Sequence, residues 1–192
     1  KRMDYATAIM YLSPSDSVSG VNVCANAKRA KCEAGCLFSA GRGQMNVVQT
    51  ARIRKTEFWR DDRDGFLATL VRDIENFMKW CASKGVKPAV RLNGTSDIPF
   101  ELYSVKRDGV TYANIMEAFP TVTFYDYTKI VKRARKSLPA NYSLTVSYSE
   151  ANPAYRDEVL QTARASRVNL AVVFRDKETV RSLVQNGWNG FE

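Results

Sequence analysis

Pro88-Ala-Val-Arg-Leu92, followed at once by Asn93-Gly-Thr-Ser-Asp97, is the stretch on which the fold turns. A short apolar run closed by Asn, Gly, Ser and Asp reads as a strand entering a polar turn. The same pattern recurs downstream. Thr121-Val-Thr-Phe-Tyr125 leads to Asp126-Tyr-Thr-Lys129, and Tyr142-Ser-Leu-Thr-Val-Ser-Tyr148 leads to Ser149-Glu150. Val168-Asn-Leu-Ala-Val-Val-Phe174 leads to Arg175-Asp-Lys177. Upstream, Ala6-Thr-Ala-Ile-Met-Tyr-Leu12 reads as a first buried strand, ended by Ser13-Pro-Ser-Asp16.

Between the first two strands the period changes. From Met45 to about Lys84, apolar residues return every three or four positions, among them Phe66, Leu70, Val71, Ile74, Phe77, Met78 and Cys81. Asp61-Asp-Arg-Asp64 marks a break and a new helix start, and Gly85 supplies a stop. Short helices are expected at Ile115–Phe119, Arg156–Ser166 and Thr179–Gln185. Strands alternating with helices imply crossover units and a mainly parallel sheet. The fold class is therefore α/β, in one domain over residues 1–192 with a cysteine-containing loop at 13–43. A parallel (β/α) barrel, complete, partial or truncated, is preferred to an open doubly wound sheet. Polar residues follow strand after strand, whereas a doubly wound sheet would gather them near one switch point.

The chain of 192 residues carries 29 Lys+Arg against 20 Asp+Glu, a formal charge of +9. Such an excess favours polyanions, with DNA preferred to RNA as partner, or a nucleotide. No apolar run approaches the roughly 20 residues needed to span a bilayer, so no membrane partner is expected. The start lacks the charged, apolar and small-residue pattern of a leader, so secretion is not expected. The chain opens at Lys1 without methionine and stops at Trp188–Glu192 while still apolar, which suggests that it continues past one or both ends. The absence of histidine excludes His-based triads and every His-containing zinc site, leaving proton transfer to carboxylates, Lys, Tyr, Cys or water.

Four constellations carry chemistry. Cys24, Cys32 and Cys36 cluster in the loop after the first strand, while Cys81 lies apart in a helix. Three thiolates leave one position open, which suits an iron–sulfur cluster or a zinc ion, and Lys28, Arg29 and Lys31 between them favour the thiolate form. Unpaired or disulfide-linked loop cysteines are the plain alternative. Gly41, Arg42 and Gly43 precede a helix, a pattern suited to phosphate through N–H groups and guanidinium, or to a flexible turn. At the strand ends, Asn93, Thr95, Ser96 and Asp97, then Asp126, Thr128 and Lys129, then Ser147, Ser149 and Glu150, would converge at one barrel mouth. Asp97, Asp126 and Glu150 are candidates for acid–base or nucleophilic work and Lys129 for anion or carbonyl binding, with Asn93, Thr95, Ser96 and Ser147 as cofactor contacts. The bland reading is turns and helix caps. Finally, Arg52, Arg54, Lys55, Arg60 and the run Lys132-Arg-Ala-Arg-Lys136 form a basic surface, with Tyr125, Tyr127 and Tyr142 placed to stack on bases.

At Cys32-Glu-Ala-Gly-Cys-Leu-Phe-Ser-Ala-Gly-Arg-Gly43, Arg91–Asp97 and Phe124–Lys129, the chain resembles a group of bacteriophage proteins, and distantly the phage gene-product-eighty-eight proteins. The similarity runs from about Thr7 to Phe174. It implies a phage origin and a parallel barrel of the radical-SAM or aldolase type, and relatives continue with further strand-like sequence. The cysteine spacing, x7 then x3, departs from the compact x3 then x2 of radical-SAM enzymes.

The leading expectation is a phage barrel enzyme modifying nucleic acid or a nucleotide in the cytoplasm of the infected bacterium. An iron–sulfur centre on the three cysteines would bring S-adenosylmethionine and radical, methyl or aminopropyl transfer. Structural zinc would suit base exchange of the transglycosylase kind, with an Asp attacking the sugar carbon. The alternative is a non-enzymatic basic protein that binds nucleic acid or inhibits a host machine.

Overall fold

The computed structural model describes residues 4–33, 35–166, 168–174 and 176–186. Lys1, Arg175 and the Trp188–Glu192 end lie outside them. The chain runs β1 (Tyr5–Ile9), α1 (Asn46–Asp61), α2 (Arg63–Lys84), β2 (Lys87–Arg91), β3 (Val105–Arg107), β4 (Val110–Tyr112), α3 (Ile115–Ala118), β5 (Thr123–Thr128), α4 (Val131–Ala134), β6 (Tyr142–Ser147), α5 (Pro153–Ala165), β7 (Asn169–Ala171) and α6 (Lys177–Asn186), with 3-10 turns at Leu37–Ser39, Gly41–Gln44 and Phe100–Leu102.

Five strands form one sheet in the order β1-β2-β5-β6-β7, and every pairing is parallel. The order never reverses, so the switch point of a doubly wound sheet is absent among the described residues. Nor do β7 and β1 pair there, so the sheet is open and the expected barrel does not close. The fold is mixed α/β around a parallel sheet. β1 is one of its two edge strands among the described residues and alternates between exposed and half-buried residues, so the reading of a buried first strand is corrected. An edge strand has a neighbour on one side only.

The helical region breaks where its acidic run falls. Asp62 caps α2, its Oδ1 accepting from Gly65 N at 2.9 Å, and Gly85 ends the helix at φ 65°. Phe66, Leu67, Leu70, Val71, Ile74 and Cys81 form its buried stripe. Apart from Cys81, that stripe joins Trp59 of α1, Val90 and Leu92 at β2, Phe124 of β5 and Leu144 of β6 in the main core. A smaller cluster of Ala30, Val131, Val146, Tyr155 and Val159 packs α4 and α5 against β6 and pins the cysteine loop to the same end of the sheet. No helix among the described residues is long and apolar enough to cross a membrane.

Candidate functional site at the carboxyl edge of the sheet

The loop carrying the three cysteines lies across the carboxyl ends of β2, β5 and β6, held there by side-chain bonds to each. Thr95 Oγ1 donates to Leu12 O at 2.5 Å, and Cys24 Sγ approaches Thr95 O at 3.4 Å. The Asp97 N–H donates to Val23 O at 2.7 Å. Asn26 Nδ2 donates to Lys129 O at 2.7 Å, and Ser149 Oγ to Ala30 O at 2.8 Å. Gly94 permits this closeness: a Cβ there would stand 2.7 Å from Met10 O and 2.6 Å from the Tyr11 ring.

Beneath the loop is a cavity of about 130 Å³. It is lined by Cys24, Cys32 and Cys36 together with Asn93, Thr95, Ser96, Asp97, Lys129 and Ser147. These nine, and Thr128 with them, are residues that the sequence singles out, and they meet at one opening. Arg91 and Tyr127 line it too, the Arg91 guanidinium lying 4.7 Å from the Tyr127 ring centroid. All three cysteines are free and half-buried. Burial pushes the Cys24 thiol up to about 12, helped by Asp97 and the other two sulfurs. Cys32 is raised as well, by burial first, with the Lys129 ammonium acting against the shift.

The other candidates stand elsewhere. Gly41, Arg42 and Gly43 form a 3-10 turn, and Arg42 and Gly43 line a separate cavity against α1. Glu150 is exposed in a neighbouring hollow that shares Cys32 and Lys129 with the thiol cavity. Asp126 does not line the thiol cavity. It sits inside β5 rather than after it, because Phe124, Asp126 and Thr128 alternate onto the buried face of a strand that runs to Thr128.

Asp126 and Asp97 are each held by donors. Asp126 Oδ1 accepts from Asn93 N at 2.8 Å and Oδ2 from Asn93 Nδ2 at 3.0 Å. Asn93 Oδ1 in turn accepts from Ser96 Oγ and Ile98 N, each at 2.8 Å, so Asp126 fixes the whole 93–98 turn. Asp97 accepts from Thr128 Oγ1 and the Lys129 N–H, each at 2.8 Å, and from Arg133 Nη1 at 2.5 Å. Arg133 also forks onto Glu101 with two bonds of 2.8 Å and donates to Tyr142 Oη at 3.0 Å. Asp97, Glu101 and Asp126 thus face the cations Arg133 and Arg91, the latter 3.9 Å from Asp126. That imbalance of one negative charge agrees with an Asp126 carboxyl pushed up to about 7 by burial, against the pull of its Asn93 donors. Burial also pushes Asp97 up, opposed by Arg133 and the two loop donors.

Arg133 and Glu101 were not legible as site residues, and Tyr142 was legible only as a ring for base stacking. Arg133 hides within Lys132–Lys136, and the expected basic surface shrinks accordingly. Arg133 and Arg52 are buried, and Arg135 donates to Thr162 Oγ1. Arg60 binds Asp61 and Ser19 O. Tyr142 is buried as well, and its hydroxyl serves the charge network rather than a base.

A family model for Gene product 88 matches residues 1–190. The chain belongs to that phage protein family. No curated protein and no solved structure matches it. In this member of the Gene product 88 family, the segments that carried the resemblance are the ones that build the cavity: the cysteine loop, the Arg91–Asp97 turn and the end of β5.

Proposed function

We propose that this phage protein is an enzyme of the partial (β/α)-barrel type that modifies nucleic acid or a nucleotide, with an iron–sulfur cluster on Cys24, Cys32 and Cys36. The observation that carries the reading is the single cavity lined by three free thiols and by the polar ends of three parallel strands. Carboxyl ends of parallel strands are where such folds place their chemistry, and the unreversed strand order is that of a barrel wall.

Three thiols in a chain without histidine suit a cluster with one open iron better than a closed zinc site, which takes four Cys or His ligands. Among the described residues no three Cys, Asp or Glu side chains are grouped to hold one metal ion. Cys24, Cys32 and Cys36 would hold such a cluster and leave one iron without a protein ligand. Burial opposes thiolate formation at Cys24, and a bound cation would reverse that cost. When bound, the cluster would supply redox chemistry or present its open iron to S-adenosylmethionine.

The chain's own residues do the rest. Lys129 and Arg91 give the cavity positive charge suited to a phosphate or carboxylate. Asn93, Ser96 and Ser147 offer polar contacts, and the cysteine loop restricts water. Asp97 and Asp126 act as positioning residues, since a nucleophilic Asp97 would first have to release three donors. We place the protein in the cytoplasm of the infected bacterium, where reducing conditions keep such thiols unpaired.

Protein purified without oxygen, with its visible spectrum and metal content recorded, tests this reading. A brown protein containing iron supports it. Stoichiometric zinc would redirect it to a metal-supported transfer enzyme. Metal-free protein whose salt-sensitive DNA binding survives replacement of the cysteines would refute it in favour of a plain binder.

A further inference from the structure

Arg52 of α1 is 6% exposed, yet no carboxylate among the described residues pairs with it. Its guanidinium lies between two rings, 5.0 Å from the Tyr11 centroid and 5.2 Å from that of Phe38. Nη1 donates to Phe38 O at 2.9 Å, and Nε is buried with no hydrogen-bond partner. A buried, permanently charged group without a carboxylate beside it is costly unless an anion completes it.

The surroundings indicate what that is. Arg52 lines a cavity of about 640 Å³ together with Arg42, Gly43, Val47, Val48 and Lys55. No acidic residue lines it. Lys55 is half-buried beside Arg52, and its ammonium is lowered by burial and by that neighbouring charge. Gly43 keeps the approach open, since a Cβ there would stand 2.5 Å from Phe38 O and 3.2 Å from Arg52 Nη1. The walls, Val47, Val48, Ala51 and Leu37, are apolar.

We propose that this cavity binds an organic phosphate, a phosphate head on Arg52 and Lys55 with an apolar or planar body against Val47 and Val48. Arg42, exposed at the rim, adds a third cation. The site stands apart from the thiol cavity and does not depend on what the cysteines hold. The two are nevertheless neighbours. Cys36 lines one and Leu37 the other, and the Tyr11 ring lies close to both Gly94 and Arg52.

Calorimetric titration of the full chain with inorganic phosphate, adenosine monophosphate and adenosine at constant ionic strength tests the proposal. Val47→Glu puts a negative charge at a position 69% exposed, where folding tolerates it. Arg52→Gln keeps a donor for Phe38 O while removing the charge. Phosphate and the nucleotide should bind, adenosine should not, and each variant should weaken binding by about tenfold or more. Tighter binding of the nucleotide than of phosphate assigns the apolar walls to the nucleoside, whereas equal binding would overturn the assignment of an organic body to them. No binding above the level of chloride, or unchanged affinity in Val47→Glu, would overturn the proposal.

Discussion

Replacing Arg133 by methionine removes the one cation that serves Asp97, Glu101 and Tyr142 together. The side chain is 5% exposed, as are Asp97 and Glu101 to within 8%. The methionine fills similar space, so the loss is electrostatic rather than a cavity. Two carboxylates are left buried without their partner, and breaking a buried pair from one side costs about 3–5 kcal/mol. In a chain of this size, that lowers Tm by roughly 6–20 °C, at about 2–4 °C per kcal/mol. Thermal unfolding followed by circular dichroism measures it. A companion variant separates the causes: Asp97→Asn in the Arg133→Met background removes one stranded charge and should recover part of the loss. A drop of under about 1 kcal/mol in Arg133→Met, the level of an exposed pair, would refute the reasoning.

Asp126 should give stability an inverse pH dependence. Its native pKa of about 7 lies above the ordinary 3.8, so the folded chain binds the extra proton, and its contribution is full below about pH 4 and lost as pH rises through about 7. Urea midpoints of the wild type should therefore fall across that window relative to Asp126→Asn, and parallel curves would contradict the assignment. Gly94→Ala forces a Cβ against the Met10 carbonyl, so it should destabilise by about 1–3 kcal/mol and speed thiol labelling by displacing the cysteine loop. In metal-free protein at pH 8, burial keeps the Cys24 thiol protonated, so mass spectrometry should find it alkylated far more slowly than in urea.

The five sheet strands were legible because each is a short apolar run closed by turn residues, and the α1–α2 break because Asp62 is a capping residue placed before Gly65. The β3–β4 hairpin was missed although Asp108-Gly109 carries its signal, both residues lying at positive φ of 50° and 78°. The bounds of β5 were drawn too early, since Asp126 looked like a strand end. Its period-two alternation with Phe124 marks it instead as a buried strand residue. The gathering of the cysteines with Asn93–Asp97 and Lys129 followed from parallel order alone. The role of the carboxylates did not, because their partner Arg133 reads as surface charge in a basic run. Likewise Arg52 reads as part of a solvated helix face, and only packing against Tyr11 and Phe38 reveals it as buried.

The most direct test is iron and acid-labile sulfide bound per chain after anaerobic reconstitution, compared across Cys24→Ser, Cys32→Ser, Cys36→Ser and Cys81→Ala. Cys81 lies in α2, 1% exposed and absent from the cavity lining. The account predicts about four of each in the wild type and in Cys81→Ala, with most lost in each of the other three. Full iron retention in any one of Cys24→Ser, Cys32→Ser or Cys36→Ser, or a wild type that takes up none, would contradict it.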